Sequence, residues 1–285
     1  DIRYMEKIRN IYYIIRSIFK RFICHKSQIA LPPKDYIFNY QYDFTQYRDY
    51  EWEYGPKWGE FHPKKLFKRY DMEGRTFEFT PKGILKMTPQ WNPKTYKKSN
   101  FPQWQKDLDV PDEFTINHMV PRLHSTTGYR YGWFEAKIKL PKGKNLWPAF
   151  WLTGMKSWPP EIDILEAYSC KNKFYGNGLF KWWKLQPNLH YGYVDDNTKG
   201  STGAVDIPVY KATERFVQYA CLWEEDKILI YYDGKLVVEC RDKEVLKWFN
   251  AGHNWMRIIV SMGLCQGEDV EYATMEVKDL KVYKK

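Results

Sequence analysis

Apolar side chains recur at two spacings along this chain. In "MEKIRNIYYIIRSIFKRFI", residues 5–23, they fall at 8, 11, 12, 15, 18, 19 and 22, while Arg9, Arg16, Lys20 and Arg21 lie mostly on other faces. That spacing predicts an amphipathic helix. "ALPPKDY" then ends it and opens a new unit. From about residue 36 the period becomes two. "RTFEFTPKGILKM" reads as a short hairpin, and "YGWFEAKIKLPKG" alternates with Phe134, Ala136, Ile138 and Leu140 on one face. "KILIYYDGKLVVEC" holds two strands joined by an Asp-Gly turn at 233–234, and "WMRIIVSMGL" and "ATMEVKDLKVY" supply two more. A chain whose clear helix is confined to its N-terminus predicts an all-β, two-sheet sandwich over 36–285, preceded by a basic helical segment over 1–35.

One run breaks the pattern. In "SWPPEIDILEAYS", Glu161, Asp163 and Glu166 stand among Ile162, Ile164, Leu165 and Ala167. Strand side chains alternate, so 161 and 163 share a face and 166 belongs to the other. A single β-bulge between Asp163 and Glu166 would return Glu166 to the first face. Three carboxylates together are costly in a core and useful in an open groove. Two glutamates flanking a small acid suit glycosidic cleavage, in which one attacks the anomeric carbon and the other protonates the leaving oxygen.

Composition fits that chemistry. Aromatics make up 18% of the residues, with 13 Trp and 23 Tyr, and flat rings suit both strands and sugar grooves. The net charge is +10, of which residues 1–35 carry +5 from eight basic and three acidic groups. No basic stripe or nucleic-acid motif accompanies it, so nucleic acid is not an expected partner. Residues 5–23 instead predict a helix docked on the body or on another subunit, or lying on a membrane surface. Arg16, Lys20 and Arg21 interrupt any apolar run there, which argues against a signal peptide. The five cysteines, at 24, 170, 221, 240 and 265, form no metal-spaced pair. They read as isolated thiols, with a Cys221–Cys240 pairing open only if their strands are neighbours. Localisation is not legible from them.

The block "GYRYGWFEAKIKLPKGKNLWPAFWLTGMKSWPPEIDILEAYS" resembles the central block of family-16 glycoside hydrolases, and "RFVQYACLWEEDKILIYYDGKLV" extends the likeness toward the last strand. The resemblance covers roughly 36–285. It implies a β-jelly roll whose concave sheet carries the substrate cleft. It also implies Glu161 as nucleophile, Glu166 as general acid/base, and Asp163 hydrogen-bonded to Glu161. Trp147 and Trp158 are expected to stack on sugars, Trp151 stands between cleft and core, and His190 in "NLHYG" is expected near the cleaved bond. Trp182 and Trp183 are expected to border the groove. Trp133 occupies a position where many members have Arg, which suggests an aromatic cleft contact. No cofactor is implied. Many members bind a structural calcium through an Asp in the final strand; Lys278 at that point, with Asp279 expected to face the other way, counts against it.

The bulged spacing E-x-D-x-x-E, with W-P-A-F-W and W-P-P-E-I-D, is most similar to the β-1,3-glucanase (laminarinase-like) branch. The expected activity is a retaining endo-hydrolase of β-1,3- or mixed β-1,3-1,4-glucan. The alternatives are a galactan hydrolase of the agarase or carrageenase type and a glycan-binding protein without catalysis. Sulfated galactan would require basic groups in the cleft, and the catalytic block offers only Lys156.

Overall fold

The computed structural model describes residues 29–169, 182–192, 199–203, 207–251 and 255–285, with the side chains of 182–184 and 208 excepted. The helix expected over 5–23 lies outside these residues. Two antiparallel sheets form the body. One has seven strands in the order Gly200–Ser201, Asn188–Tyr191, Glu161–Glu166, Leu146–Gly154, Met256–Leu264, Arg122–Tyr129 and Trp52–Tyr54. The other has eight, running from Lys235–Cys240 through Ile228–Tyr232, Val217–Trp223, Gly132–Lys139, Met275–Lys284 and Leu85–Met87 to Phe77–Phe79, with Ile37–Gln41 also on Met275–Lys284. A smaller sheet joins Lys68–Tyr70, in parallel, to Glu113–Val120 and so reaches one end of the seven-stranded sheet.

Period-two patterning explains the layering. Phe134, Ala136 and Ile138 of one sheet meet Phe150, Leu152, Ile162, Ile258 and Val260 of the other in a single fully buried core. The odd positions of Leu146–Gly154, with Glu161 and Asp163, therefore face away from that core.

The catalytic-strand candidate does contain the irregularity its parity demands. Against Leu146–Gly154, Thr153 pairs with Glu161 and Trp151 with Asp163, but Phe150 pairs with Leu165 and Ala149 with Glu166. Ile164 is the extra residue. Ile164 and Leu165 are both fully buried in the core, so Glu166 returns to the face of Asp163. Tyr232, fully buried in the opposite sheet, donates its hydroxyl to the Ile164 carbonyl at 2.7 Å. A carbonyl displaced from regular pairing thus keeps a partner, as a buried peptide group must.

Several expectations change here. Ala30 is buried and exchanges two hydrogen bonds with the Gln218 side chain, so residues 29–35 already belong to the body rather than to a separate N-terminal piece. Cys221 and Cys240 are separated by the strand Ile228–Tyr232 and are both free. A register shift between Lys278 and Lys281 places Asp279 in the left-handed region, φ 52°. There it pairs with Lys137 at 2.9 Å, which shares the face of Lys278, so it does not face the other way. The Lys278 ammonium lies 4.3 Å from the centre of the Phe216 ring.

Candidate active site

The outer face of the seven-stranded sheet is a cleft lined by Glu161, Asp163 and Glu166, with Trp147, Ala149, Trp151, Ser261 and Gly263 beside them. Strand register dictates this set, since Trp147, Ala149 and Trp151 lie opposite Gly263, Ser261 and Ile259 on the next strand.

Each glutamate is held by indole. Trp158 Nε1 donates to Glu161 Oε2 at 2.9 Å, and Trp147 Nε1 donates to Glu166 Oε1 at 2.9 Å. Tyr168 adds a second donor to Glu166 Oε1 at 2.8 Å. The expected hydrogen bond from Asp163 to Glu161 is not formed among the described residues. Both acids instead face His190, whose Nε2 lies 3.3 Å from Asp163 Oδ2 and 3.6 Å from Glu161 Oε1. The reason is the neighbouring strand, on which His190 pairs directly with Glu161 and Asn188 with Asp163.

Asn188 holds His190 from the same strand. Its Oδ1 accepts from Ser201 Oγ at 2.7 Å and from Leu189 N at 3.0 Å, so its Nδ2 is the atom turned to His190 Nε2, 3.1 Å away. His190 Nε2 is then an acceptor. Asp163 Oδ2 is buried and faces the same ring nitrogen at 3.3 Å. Burial, followed by the Glu166 charge, raises Asp163 well above the usual carboxylate range. Burial also raises Glu166, while donation from Tyr168 and Trp147 draws it back. Glu161 is pushed up to about 8 by burial first and the Asp163 charge second.

These shifts have a stability consequence. An acid whose folded pKa is raised binds its proton more tightly folded than unfolded, so stability falls as pH rises from about 4.5 to about 8. Glu161→Gln removes that group's share, on the order of a few kcal/mol at most. The Gln variant should therefore melt with wild type at pH 4.5 and several degrees above it at pH 8.5. Equal gaps at the two pH values would show that Glu161 is not the group responsible.

The other aromatic expectations divide. Trp158 is 44% exposed at the cleft rim, with the Lys199 ammonium 4.0 Å over its ring. Trp151 belongs to the cleft, its Nε1 on Ser261 Oγ at 3.2 Å and the Arg122 guanidinium 4.8 Å over its ring. Trp147 also lies in the cleft, but Lys65 and Lys68 approach its ring at 4.8 and 4.7 Å and Tyr168 packs against it. Its ring is thus already engaged by protein groups.

Trp133 is not in the cleft. It lies on Gly132–Lys139 in the other sheet, fully buried on that sheet's outer face with Ala30, Tyr36, Leu222 and Leu229. Strand parity explains the correction. Phe134 and Ala136 point into the sandwich, so Trp133 points out on the side remote from the carboxylates. Trp182 and Trp183 lie on Trp182–Leu185, which pairs with Ile207–Tyr210, and their side chains are outside the described residues.

Sequence reasoning missed the wall formed by Trp58, His62, Lys65, Lys68, Tyr70 and Arg122. These come from the region before the motif block, and no local spacing marks them. Among the described residues, Glu161, Asp163 and His190 are the group that could take a cation, with one ligand atom each within 4.8 Å of one another. An ion there would occupy the carboxylates that the glycosidic chemistry needs.

Residues 86–279 match the family described as Glycosyl hydrolases family 16. The chain belongs to that family. An endo-1,3-1,4-beta-glycanase of Rhizobium meliloti is 31% identical over 116 residues, 40% of this chain and 22% of its own. A glucan endo-1,3-beta-glucosidase of Cryptopygus antarcticus is 33% identical over 143 residues, 47% of each chain. The matches thus span less than half of either relative. The crystal structure of LamAcat from Zobellia galactanivorans superposes with a TM-score of 0.65 at 19% identity, over 87% of this chain and 97% of that one. That likeness establishes the jelly-roll fold.

Proposed function

We propose that this family-16 protein is a retaining endo-hydrolase of β-1,3- or mixed β-1,3-1,4-glucan. The observation that carries the reading is the bulge at Ile164, which brings two indole-bonded glutamates and Asp163 onto one face of an open cleft. Relatives named as 1,3- and 1,3-1,4-glucan enzymes support the substrate class.

Glu161 attacks the anomeric carbon as a carboxylate, with Trp158 Nε1 holding its other oxygen. Glu166, whose pKa burial raises, gives its proton to the departing glycosidic oxygen as the C–O bond breaks. Once Glu161 is esterified its charge is gone, and Glu166 ionises more easily. Glu166 then takes a proton from water, the water oxygen bonds the anomeric carbon, and the bond to Glu161 breaks. Two inversions leave the β configuration. Asp163, turned to His190, stands between the two glutamates on the same face.

The test is a panel of laminarin, lichenan, agarose and carrageenan, with the first-formed anomer read by NMR. Cleavage of laminarin or lichenan to β-configured ends is the expected result. Cleavage confined to agarose or carrageenan would replace the glucan reading with a galactan one. Binding without cleavage of any of the four would leave a glycan-binding protein.

A further inference from the structure

The cleft wall that the motif block does not supply is basic, and a neutral glucan gives it little to do. Lys68 is 4% exposed, its Nζ donating to the Leu264 carbonyl at 3.0 Å and lying against Gly263, where an added Cβ would meet it at 3.1 Å. The Lys65 ammonium approaches the same Trp147 ring from 4.8 Å. Arg122 lies across from them, its guanidinium 4.8 Å from the Trp151 ring and its Nε on His124 Nε2 at 2.7 Å. Among the described residues, none of these three cations has a carboxylate within ion-pair distance, although salt bridges elsewhere are plentiful, from Arg69–Glu60 to Arg215–Asp233. The acids that line the same cleft are Glu161, Asp163 and Glu166, and burial raises the pKa of every one. The cleft therefore sets Lys65, Lys68 and Arg122 beside its catalytic carboxyls.

Lys68 is buried with a carbonyl as its partner, and the charges nearest Lys65 and Arg122 are those of the catalytic Glu166 and Glu161. Such an arrangement is costly, and it persists where something repays the cost. We propose that Lys65, Lys68 and Arg122 form a subsite for an anionic substituent, a sulfate ester or a carboxylate, on a sugar of the glucan chain next to the cleaved bond. This rests on the glucanase reading and narrows its substrate. Sulfate and carboxylate share the needed chemistry, since each presents several acceptor oxygens to ammonium and guanidinium donors. The indole and phenol rings beside the cations keep water away and strengthen the attraction. Burial and the neighbouring Lys65 pull Lys68 down to about 7, so a bound anion would also restore its full charge.

The experiment compares kcat/KM on laminarin, partially sulfated laminarin and carboxymethyl laminarin of matched length at fixed ionic strength. Wild type should favour at least one anionic glucan by about tenfold over laminarin. Lys65→Met and Lys68→Met should lose that preference, and Lys65→Arg should keep it. A larger gain on the sulfated glucan identifies sulfate, and a larger gain on the carboxymethyl glucan identifies carboxylate. Equal or better cleavage of plain laminarin by wild type, or a preference unchanged in Lys65→Met, would overturn the subsite. If Lys68→Met fails to fold, Lys65→Met carries the comparison. If no glucan is cleaved, the glucanase reading fails by itself. The subsite is then judged by calorimetry with inorganic sulfate, which should bind wild type and not Lys65→Met; no binding to wild type would end the proposal.

Discussion

Glu161→Gln and Glu166→Gln should each lower kcat on laminarin by about 10³–10⁵-fold, a loss of roughly 4–7 kcal/mol of transition-state stabilisation. Each change replaces a carboxyl with an amide of nearly the same shape, so Trp158 and Trp147 keep an oxygen to donate to. Circular dichroism should show both variants folded. The roles separate on chemical rescue. In Glu161→Ala, azide can enter the vacated space and attack the anomeric carbon directly, giving a glycosyl azide of inverted configuration. In Glu166→Ala with an activated aryl leaving group, the ester on Glu161 still forms and azide captures it, giving net retention. Swapped stereochemistry would exchange the two assignments. Asp163→Asn should be milder, because Asp163 touches His190 rather than either glutamate. A loss equal to that of the glutamates would give Asp163 a direct part in proton transfer.

The second large effect concerns the register of the same strand. Deleting Ile164 removes the residue that has no partner on Leu146–Gly154 and leaves Glu161, Asp163 and Glu166 at alternate positions of a regular strand. All three still face the cleft. The cost is a buried side chain, about 2–5 kcal/mol by analogy with large-to-small core changes, together with the Tyr232 hydrogen bond. Deleting Ile162 instead turns Glu161 toward the core relative to Asp163 and breaks its pairing with His190. Hydrolysis of laminarin should remain measurable in the Ile164 deletion and fall below about 10⁻⁴ of wild type in the Ile162 deletion. Both proteins must first show native-like circular dichroism. Equal inactivity in two folded deletions would mean that the bulge sets carboxyl positions finely and does more than restore parity.

The sequence by itself determined the sandwich and the acid triplet. Period-two patterning survives translation into structure because each strand buries one face, and Phe134, Ala136 and Ile138 leave no alternative. The need for a bulge followed from counting between Asp163 and Glu166, since parity is a local property of the backbone. Trp133 shows where local reading ends: one residue of parity put it on the outer face of the wrong sheet, and a family position alone could not reveal that. The partner of Asp163 was equally invisible, because His190 reaches it by strand pairing across an intervening stretch of chain. Tyr232 holds the bulge from the opposite sheet, and Lys65, Lys68 and Arg122 enter the cleft from elements earlier in the chain. Their charges look like ordinary surface lysines and arginine in the sequence. The packing of Lys68–Tyr70 beside Glu113–Val120 takes the Lys68 ammonium out of bulk water. Burial and distance set how a charge behaves, and both are properties of the folded chain.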